Sequence, residues 1–259
     1  MSDRPAPFIV AIPARYASTR LPGKPLRLLA GRPLVAHVVS RALESGAADV
    51  VVATDDERIA DAVRSLPVTV CMTDSALASG SDRIAACAEQ LAWSDEQVVV
   101  NVQGDEPFVP MQGIHAAVET LTQGQAPVAT LATPLRQVEE LFNPHCVKLV
   151  RGIDGRALYF SRAPVPWPRD AFASARDALP QDVPFLRHVG MYAYRAGFLR
   201  RYARMQPTTL ERTEALEQLR ILEHGHAIQV GMIPEPFPAG IDSEEDLLRA
   251  ERHVREHAA

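Results

Sequence analysis

Arg15, Arg20 and Lys24 crowd one short loop, with Ser18, Thr19 and Gly23 between them. The loop follows Phe8-Ile9-Val10-Ala11-Ile12, an unbroken apolar run of the kind that forms a central strand buried on both faces. Pro13 is expected to end that strand, because it has no N–H for the ladder. Cations placed at the open end of a parallel strand suit a polyphosphate. A solvated basic loop is the plainer alternative. The loop is not a Walker A motif, since Lys24 is followed by Pro25, and no Gly-x-Gly-x-x-Gly turn follows the strand. A third kind of nucleotide cradle is therefore expected.

Three acidic or mixed clusters add to this. Gly104-Asp105-Glu106-Pro107 follows the apolar Val98-Val99-Val100, so Asp105 sits where a strand-end carboxylate holds a divalent cation beside phosphates. The same tetrapeptide also reads as a turn. Ser79-Gly80-Ser81-Asp82-Arg83 precedes a helix that Ser81 or Asp82 is expected to cap. Capping leaves Arg83 unexplained, because the helix dipole disfavours a cation in the first turn, and a bound anion would offset that. Asp242 stands just before Ser243-Glu244-Glu245-Asp246, a capping box. It is either acidic decoration of a helix start or a second metal carboxylate brought in from far along the chain.

The elements that must position these residues alternate through the first half. Helices are expected over Pro33–Glu44, Glu57–Leu66, Ser81–Leu91 and Ile114–Leu121, and strands over Asp49–Thr54, Val68–Met72 and Gln97–Gln103. Such alternation implies an α/β fold with a doubly wound, mostly parallel, Rossmann-like sheet, whose ligands lie outside the carboxyl ends of the strands. In the second half, Val147–Val150 and Ala157–Ser161 flank Asp154-Gly155, a hairpin signal. His188–Tyr194 and Ile228–Ile233 read as strands, Glu211–Glu223 and Ser243–Glu256 as helices, and Pro164–Pro184 as a long irregular loop. An antiparallel extension of the sheet, or a small second layer, is expected there. The 259 residues suit a single domain with two halves, residues 8–145 with the alternating elements and the nucleotide cradle, and residues 146–259 with the changed pattern.

Composition narrows the class. Apolar residues make up 47% and charged residues 23%, as in soluble globular proteins. A net charge of −5 gives sequence-independent nucleic-acid binding no global support. No apolar run approaches the ~20 residues that span a bilayer, and Met1–Pro7 lacks the apolar core of a signal peptide, so neither membrane nor export is expected. Cys71, Cys87 and Cys146 are far apart with no C-x-x-C, which fits a reducing cytoplasm better than disulfides or zinc.

Taken together, the ordered blocks resemble a known family. They are Ile12 to Pro25, Ala53-Thr54-Asp55, Ser79 to Arg83, Asn101 to Pro107, Tyr159 to Ala163, Arg187 to Tyr192, Leu216 to Arg220 and Gly240-Ile241-Asp242. From about Phe8 to the last helix the chain closely resembles the 3-deoxy-manno-octulosonate cytidylyltransferases, or CMP-Kdo synthetases. The resemblance implies that CTP and the sugar acid Kdo are joined, with Mg²⁺, into CMP-Kdo and pyrophosphate for lipopolysaccharide assembly, and that the enzyme is a cytoplasmic homodimer. It implies that Ala14, Arg15 and Lys24 hold CTP with help from Ser79 and Arg83, and that Asp105 and Asp242 are the metal ligands. It further implies that Arg162, His188, Tyr192, Glu217 and Gln218 line the Kdo pocket, with Gln103 between the substrates. Arg162 suits the Kdo carboxylate, because a guanidinium fork binds it with two bonds. Glu217 and Gln218 diverge by ~100° on a helix and should line different parts of the pocket. His188 has a plainer reading as a hydrogen-bonded core residue. A cytidylyltransferase for sialic acid or methylerythritol phosphate, or a different sugar nucleotidyltransferase, would share the strand and cationic loop but should lack the Arg187–Tyr192 and Leu216–Arg220 blocks together. A nucleotide sensor without turnover would need neither a sugar-acid pocket nor two separated metal carboxylates.

Overall fold

Phe8–Ala14 forms β1, and its side chains alternate between two apolar layers, with Phe8, Val10, Ile12 and Ala14 on one side and Ile9 and Ala11 on the other. The structure, a computed structural model, describes residues 6–17, 21–77, 79–235, 237–238 and 240–257, excepting the side chain of residue 257. Ser18, Thr19 and Arg20 of the cationic loop lie outside the described residues. After a 3-10 turn at Lys24–Leu26 come β2 (Leu28–Leu29), β3 (Arg32–Pro33), α1 (Leu34–Glu44), β4 (Asp49–Thr54), α2 (Glu57–Val63), β5 (Thr69–Met72) and α3 (Gly80–Gln90). The chain continues through β6 (Val98–Asn101), α4 (Met111–Gln123), β7 (Val128–Pro134), α5 (Val138–Phe142), β8 (Lys148–Arg151), β9 (Ala157–Ser161) and α6 (Arg169–Ser174). It ends with β10 (Leu186–Arg195), α7 (Ala196–Tyr202), α8 (Thr209–Glu214), α9 (Gln218–Glu223), β11 (Ile228–Met232) and α10 (Glu244–His257).

Among the described residues the main sheet has nine strands, ordered β11-β7-β10-β6-β1-β4-β5, with β8 and then β9 branching from β10. β1 pairs in parallel with both β4 and β6, and β4 with β5. β10 runs antiparallel to β6, β7 and β8, and β8–β9 is the hairpin turned at Asp154-Gly155. The sheet is thus mostly parallel, with an antiparallel extension from the second half. Helices α1, α2 and α4 cover one face, and α3, α7 and α9 the other. α10 packs Leu247 and Ala250 onto Leu21, Leu29, Leu34 and Ile241, beside the cationic loop.

Several expectations need correction. β1 runs through Pro13 to Ala14, paired with Ala53 and Thr54 of β4. Ala11 O accepts from Val102 N, so residues of its parity face β6; pairing with β6 ends at Asn101, and the missing N–H of Pro13 therefore leaves no ladder bond unmade. The single helix expected at Glu211–Glu223 is two helices broken at Ala215, which takes the left-handed φ of 50°. The loop over Pro164–Pro184 contains α6. Strand β7, fully interior in the sheet, and helix α7 carry no periodic sequence signal strong enough to separate them from their neighbours. Among the described residues no helix is long and apolar enough to cross a membrane.

Candidate active site

The carboxyl ends of β1 and β6 open onto a cavity of about 310 Å³. Pro13, Ala14 and Arg15 come from the end of β1, Gln103, Gly104 and Asp105 from the end of β6, and Ser79, Gly80 and Arg83 from the start of α3. Lys24, Glu217 and Asp242 complete its polar lining. Backbone closeness sets its shape. A side-chain carbon at Gly104 would meet Pro13 O at 2.9 Å, and one at Gly80 would meet Pro13 Cγ at 3.1 Å.

Ser79, not Ser81 or Asp82, caps α3, accepting from Asp82 N at 3.0 Å and donating to Asp82 Oδ2 at 2.8 Å. Arg83 is 2% exposed, and its neutralising anion is a protein carboxylate rather than a ligand. Its Nη2 donates to Asp55 Oδ2 at 3.1 Å, and its Nη1 to Thr73 Oγ1 and to the Asp74 carbonyl. Asp55 thus holds Arg83 against the cavity wall, a role that the Ala53-Thr54-Asp55 block does not reveal by itself.

Lys24 brings the two candidate metal carboxylates together. Gly23, at φ 64°, turns the loop so that Lys24 Nζ donates to Asp105 Oδ2 at 2.5 Å and to Asp242 Oδ1 at 2.9 Å. The backbone fixes the same convergence, since Ile241 N donates to Asp105 O at 2.9 Å. Burial works against the Lys24 charge, yet the two carboxylates outweigh it and hold the ammonium above its usual range. Burial first, and then the charge of Asp105, push Glu106 up to about 8. Asp242 also keeps company with a real capping box, because Asp246 Oδ2 accepts from Ser243 N at 2.9 Å and Ser243 Oγ accepts from Asp246 N at 3.2 Å. Among the described residues no group of three or more His, Cys, Asp or Glu side chains gathers as a metal cage. Two converging carboxylates are nonetheless a donor set that fits Mg²⁺, which takes hard oxygens and keeps places for water and phosphate.

A second cavity, of about 320 Å³, adjoins the first. His188, Gly190, Tyr192 and Tyr194 of β10 form one wall, Tyr202 of α7 and the stretch Ala215 to Gln218 another, and Ser81 and Asn101 a third. Gln103 and Glu217 line both cavities. Between Val189 and Tyr192 the pairing of β10 with β7 slips, and Thr130 Oγ1 donates to the carbonyls of Val189 and Met191 in that bulge. His188 Nε2 lies 3.0 Å from Thr130 Oγ1 and 3.0 Å from Tyr192 Oη, and burial pushes the imidazole down to about 3. Burial, and then Asp82, raise the Glu217 carboxyl above its usual range.

The sequence-expected residues divide as follows. Ala14, Arg15, Lys24, Ser79, Arg83, Gln103, Asp105 and Asp242 meet at the first cavity, and Gln103, His188, Tyr192, Glu217 and Gln218 at the second. Arg162 lines neither. Its Nε donates to Glu214 O at 2.6 Å, its Nη1 to Pro144 O at 2.9 Å and its Nη2 to Ala215 O at 3.3 Å, so the fork expected for a ligand carboxylate is engaged with backbone. Sequence reading missed Asn101, Ser81, Tyr194, Tyr202 and the hub Thr130. Tyr194 was accessible through the period of two from Tyr192, whereas Thr130 and Tyr202 belong to elements that gave no signal.

A family model described as "Cytidylyltransferase" matches residues 9–228. A 3-deoxy-manno-octulosonate cytidylyltransferase of Stenotrophomonas maltophilia (strain K279a) is 58% identical over 97% of this chain and 98% of its own length. The chain belongs to that family. A second relative of the same name, from Xanthomonas axonopodis pv. citri (strain 306), is 57% identical over 96% of this chain and 97% of its own. Among solved structures, a CMP:2-keto-3-deoxy-manno-octonic acid synthetase complexed with CTP superposes with a TM-score of 0.87 at 34% identity, covering 97% of this chain and 100% of that one. A putative glucose-1-phosphate thymidylyltransferase from Bacillus anthracis, at 16% identity and a TM-score of 0.63, shares the fold alone. As a member of the 3-deoxy-manno-octulosonate cytidylyltransferase family, the chain is a nucleotidyltransferase.

Proposed function

We propose that this chain joins CTP to 3-deoxy-manno-octulosonate (Kdo), giving CMP-Kdo and pyrophosphate and so activating Kdo for lipopolysaccharide assembly. The observation that carries the reading is the shared wall: Gln103 and Glu217 line both cavities, so a nucleotide in one and a sugar acid in the other meet there. The anomeric oxygen of Kdo forms a bond to the α-phosphorus, the bond from that phosphorus to the pyrophosphate oxygen breaks, and the hydroxyl proton leaves. Both substrates are anions, and charge builds on pyrophosphate as it departs. Arg15 and Lys24, placed beforehand on the first cavity, supply opposing charge, and positioning plus charge neutralisation is what such a transfer needs. No covalent nucleophile is required.

Asp105 and Asp242 would hold Mg²⁺, which when bound neutralises phosphate charge and orients the leaving group. Ala14, Ser79 and Arg83 are assigned to the nucleotide, and His188, Tyr192, Glu217 and Gln218 to the sugar acid, within one domain whose halves supply the two sites. Cytoplasmic placement is supported by three free, buried cysteines and by the use of CTP. Family kinship is the support for a homodimer. Pyrophosphate release measured with CTP and Kdo together, and with each alone, tests the activity. Release should require both substrates and Mg²⁺. Release without Kdo, or a clear preference for another sugar acid or nucleotide, would overturn it.

A further inference from the structure

The second cavity has an unusual feature for a site that takes an acid. No Lys or Arg is among the residues that line it, so every donor there is neutral. Gln103 Nε2 donates to Asn101 Oδ1 at 3.2 Å, and Tyr192 Oη lies against His188 Nε2. Two buried donors have no such partner. Tyr202 Oη and Gln218 Nε2 are both buried without a hydrogen-bond partner, on side chains 2% and 7% exposed. They belong to α7 and α9, two helices packed on the same sheet face, and both residues line this cavity. Leaving a buried donor unmade is unfavourable, and two on one wall are rare.

The Tyr202 ring is held from behind. Arg220 lies over it, 4.7 Å from the ring centre, and is itself fixed by Glu211 through Nε at 2.8 Å and Nη2 at 2.5 Å. Burial keeps the phenol protonated, so its O–H is available to donate to an anion or a hydroxyl oxygen. We propose that Tyr202 is a further substrate-recognition residue, which together with Gln218 donates to an acceptor oxygen of the bound sugar acid, a hydroxyl or a carboxylate oxygen. The inference deepens the Kdo reading and rests on it.

Tyr202→Phe keeps the ring and its Arg220 contact and deletes only the orphan hydroxyl. A phenol serving the fold would lower the melting temperature when removed. A phenol waiting for substrate leaves the stability of the free enzyme unchanged or raised, because an unsatisfied buried group is gone. The expected result is a Kdo KM raised roughly tenfold (about 1.4 kcal/mol) with the CTP KM unchanged, and a smaller thermal shift on adding Kdo. Gln218→Leu should move the same two quantities in the same direction. Deoxy analogues of Kdo separate the two kinds of acceptor: if a hydroxyl is read, the analogue lacking it no longer distinguishes Tyr202→Phe from wild type, and if the carboxylate is read, every analogue still does. An unchanged Kdo KM and thermal shift in Tyr202→Phe, beside a wild type that turns Kdo over, would overturn the inference. A wild type inert toward Kdo would overturn the Kdo reading itself.

Discussion

His188 sits on β10 between two hydroxyls, and its environment decides which of its protonation states the fold can hold. Burial brings the imidazole to about 3 from an ordinary 6.5, and no carboxylate compensates. Between those two values the unfolded chain carries a proton that the native chain lacks. Stability therefore rises with pH across that window, by about 1.4 kcal/mol per pH unit for each proton. The contribution is complete above 6.5 and is lost as pH falls toward 3. In His188→Gln the slope of unfolding free energy against pH, measured by urea titration between pH 4 and 6, should be shallower by up to that amount. Identical slopes would mean the imidazole is charged in the native state. The plainer sequence reading of His188, a hydrogen-bonded core residue, and the functional one are compatible: Thr130 and Tyr192 both engage Nε2 while the residue borders the second cavity.

At the scale of elements, the break between α8 and α9 aims Leu216, Glu217 and Gln218 at the second cavity, and Arg162 holds that break. Its donors reach the carbonyls of Glu214 and Ala215, while the Glu214 carboxylate accepts from Arg162 N at 2.9 Å and Ser161 Oγ at 2.6 Å. Ala215 is left-handed, a conformation that costs a non-glycine residue about 1 kcal/mol and that needs such support. Arg162→Ala should lower stability by roughly 1–3 kcal/mol, read as an earlier urea midpoint, and disturb Kdo turnover through the displaced wall. Unchanged stability with only a higher Kdo KM would return Arg162 to direct contact with the carboxylate. The break also shows where sequence legibility ended. The parallel half could be read because β1, β4 and β6 are Val/Ile/Ala runs closed by polar residues, and the Ser243–Asp246 box marked α10 directly. The Glu211–Glu223 stretch has an unbroken helical composition, and the kink at Ala215 comes from tertiary hydrogen bonds that no local pattern encodes. The Glu214 and Ala215 carbonyls that Arg162 binds come from that hidden turn, so its sequence context does not reveal them.

Across the whole molecule, the sheet brings together residues from near both ends of the chain. β6 delivers Asp105 at the sheet's carboxyl edge, while α10, anchored through Arg27 Nη2 to Glu244 Oε1 at 2.6 Å and by its apolar face, delivers Asp242 beside it. Both carboxylates bind the Lys24 ammonium in the free protein. An ammonium between them and a divalent ion between them are alternatives for the same oxygens, and Mg²⁺ at about 2.0–2.1 Å from each would require Lys24 to turn toward the phosphates. This exchange predicts opposite effects on binding and on turnover. Lys24→Met removes a competing cation from the carboxylate oxygens, so the free protein should bind Mn²⁺ more tightly, as followed by electron paramagnetic resonance. Turnover should fall, since charge on the departing pyrophosphate loses a partner. Asp105→Asn and Asp242→Asn should each weaken Mn²⁺ binding and suppress turnover. Their double variant should be scarcely worse than the poorer single one, because groups that act as a unit are non-additive. Additive losses, or Mn²⁺ binding that ignores Asp242→Asn, would separate the two carboxylates and reduce Asp242 to decoration of the α10 start, where its removal would shift stability by only about 0.3–1 kcal/mol.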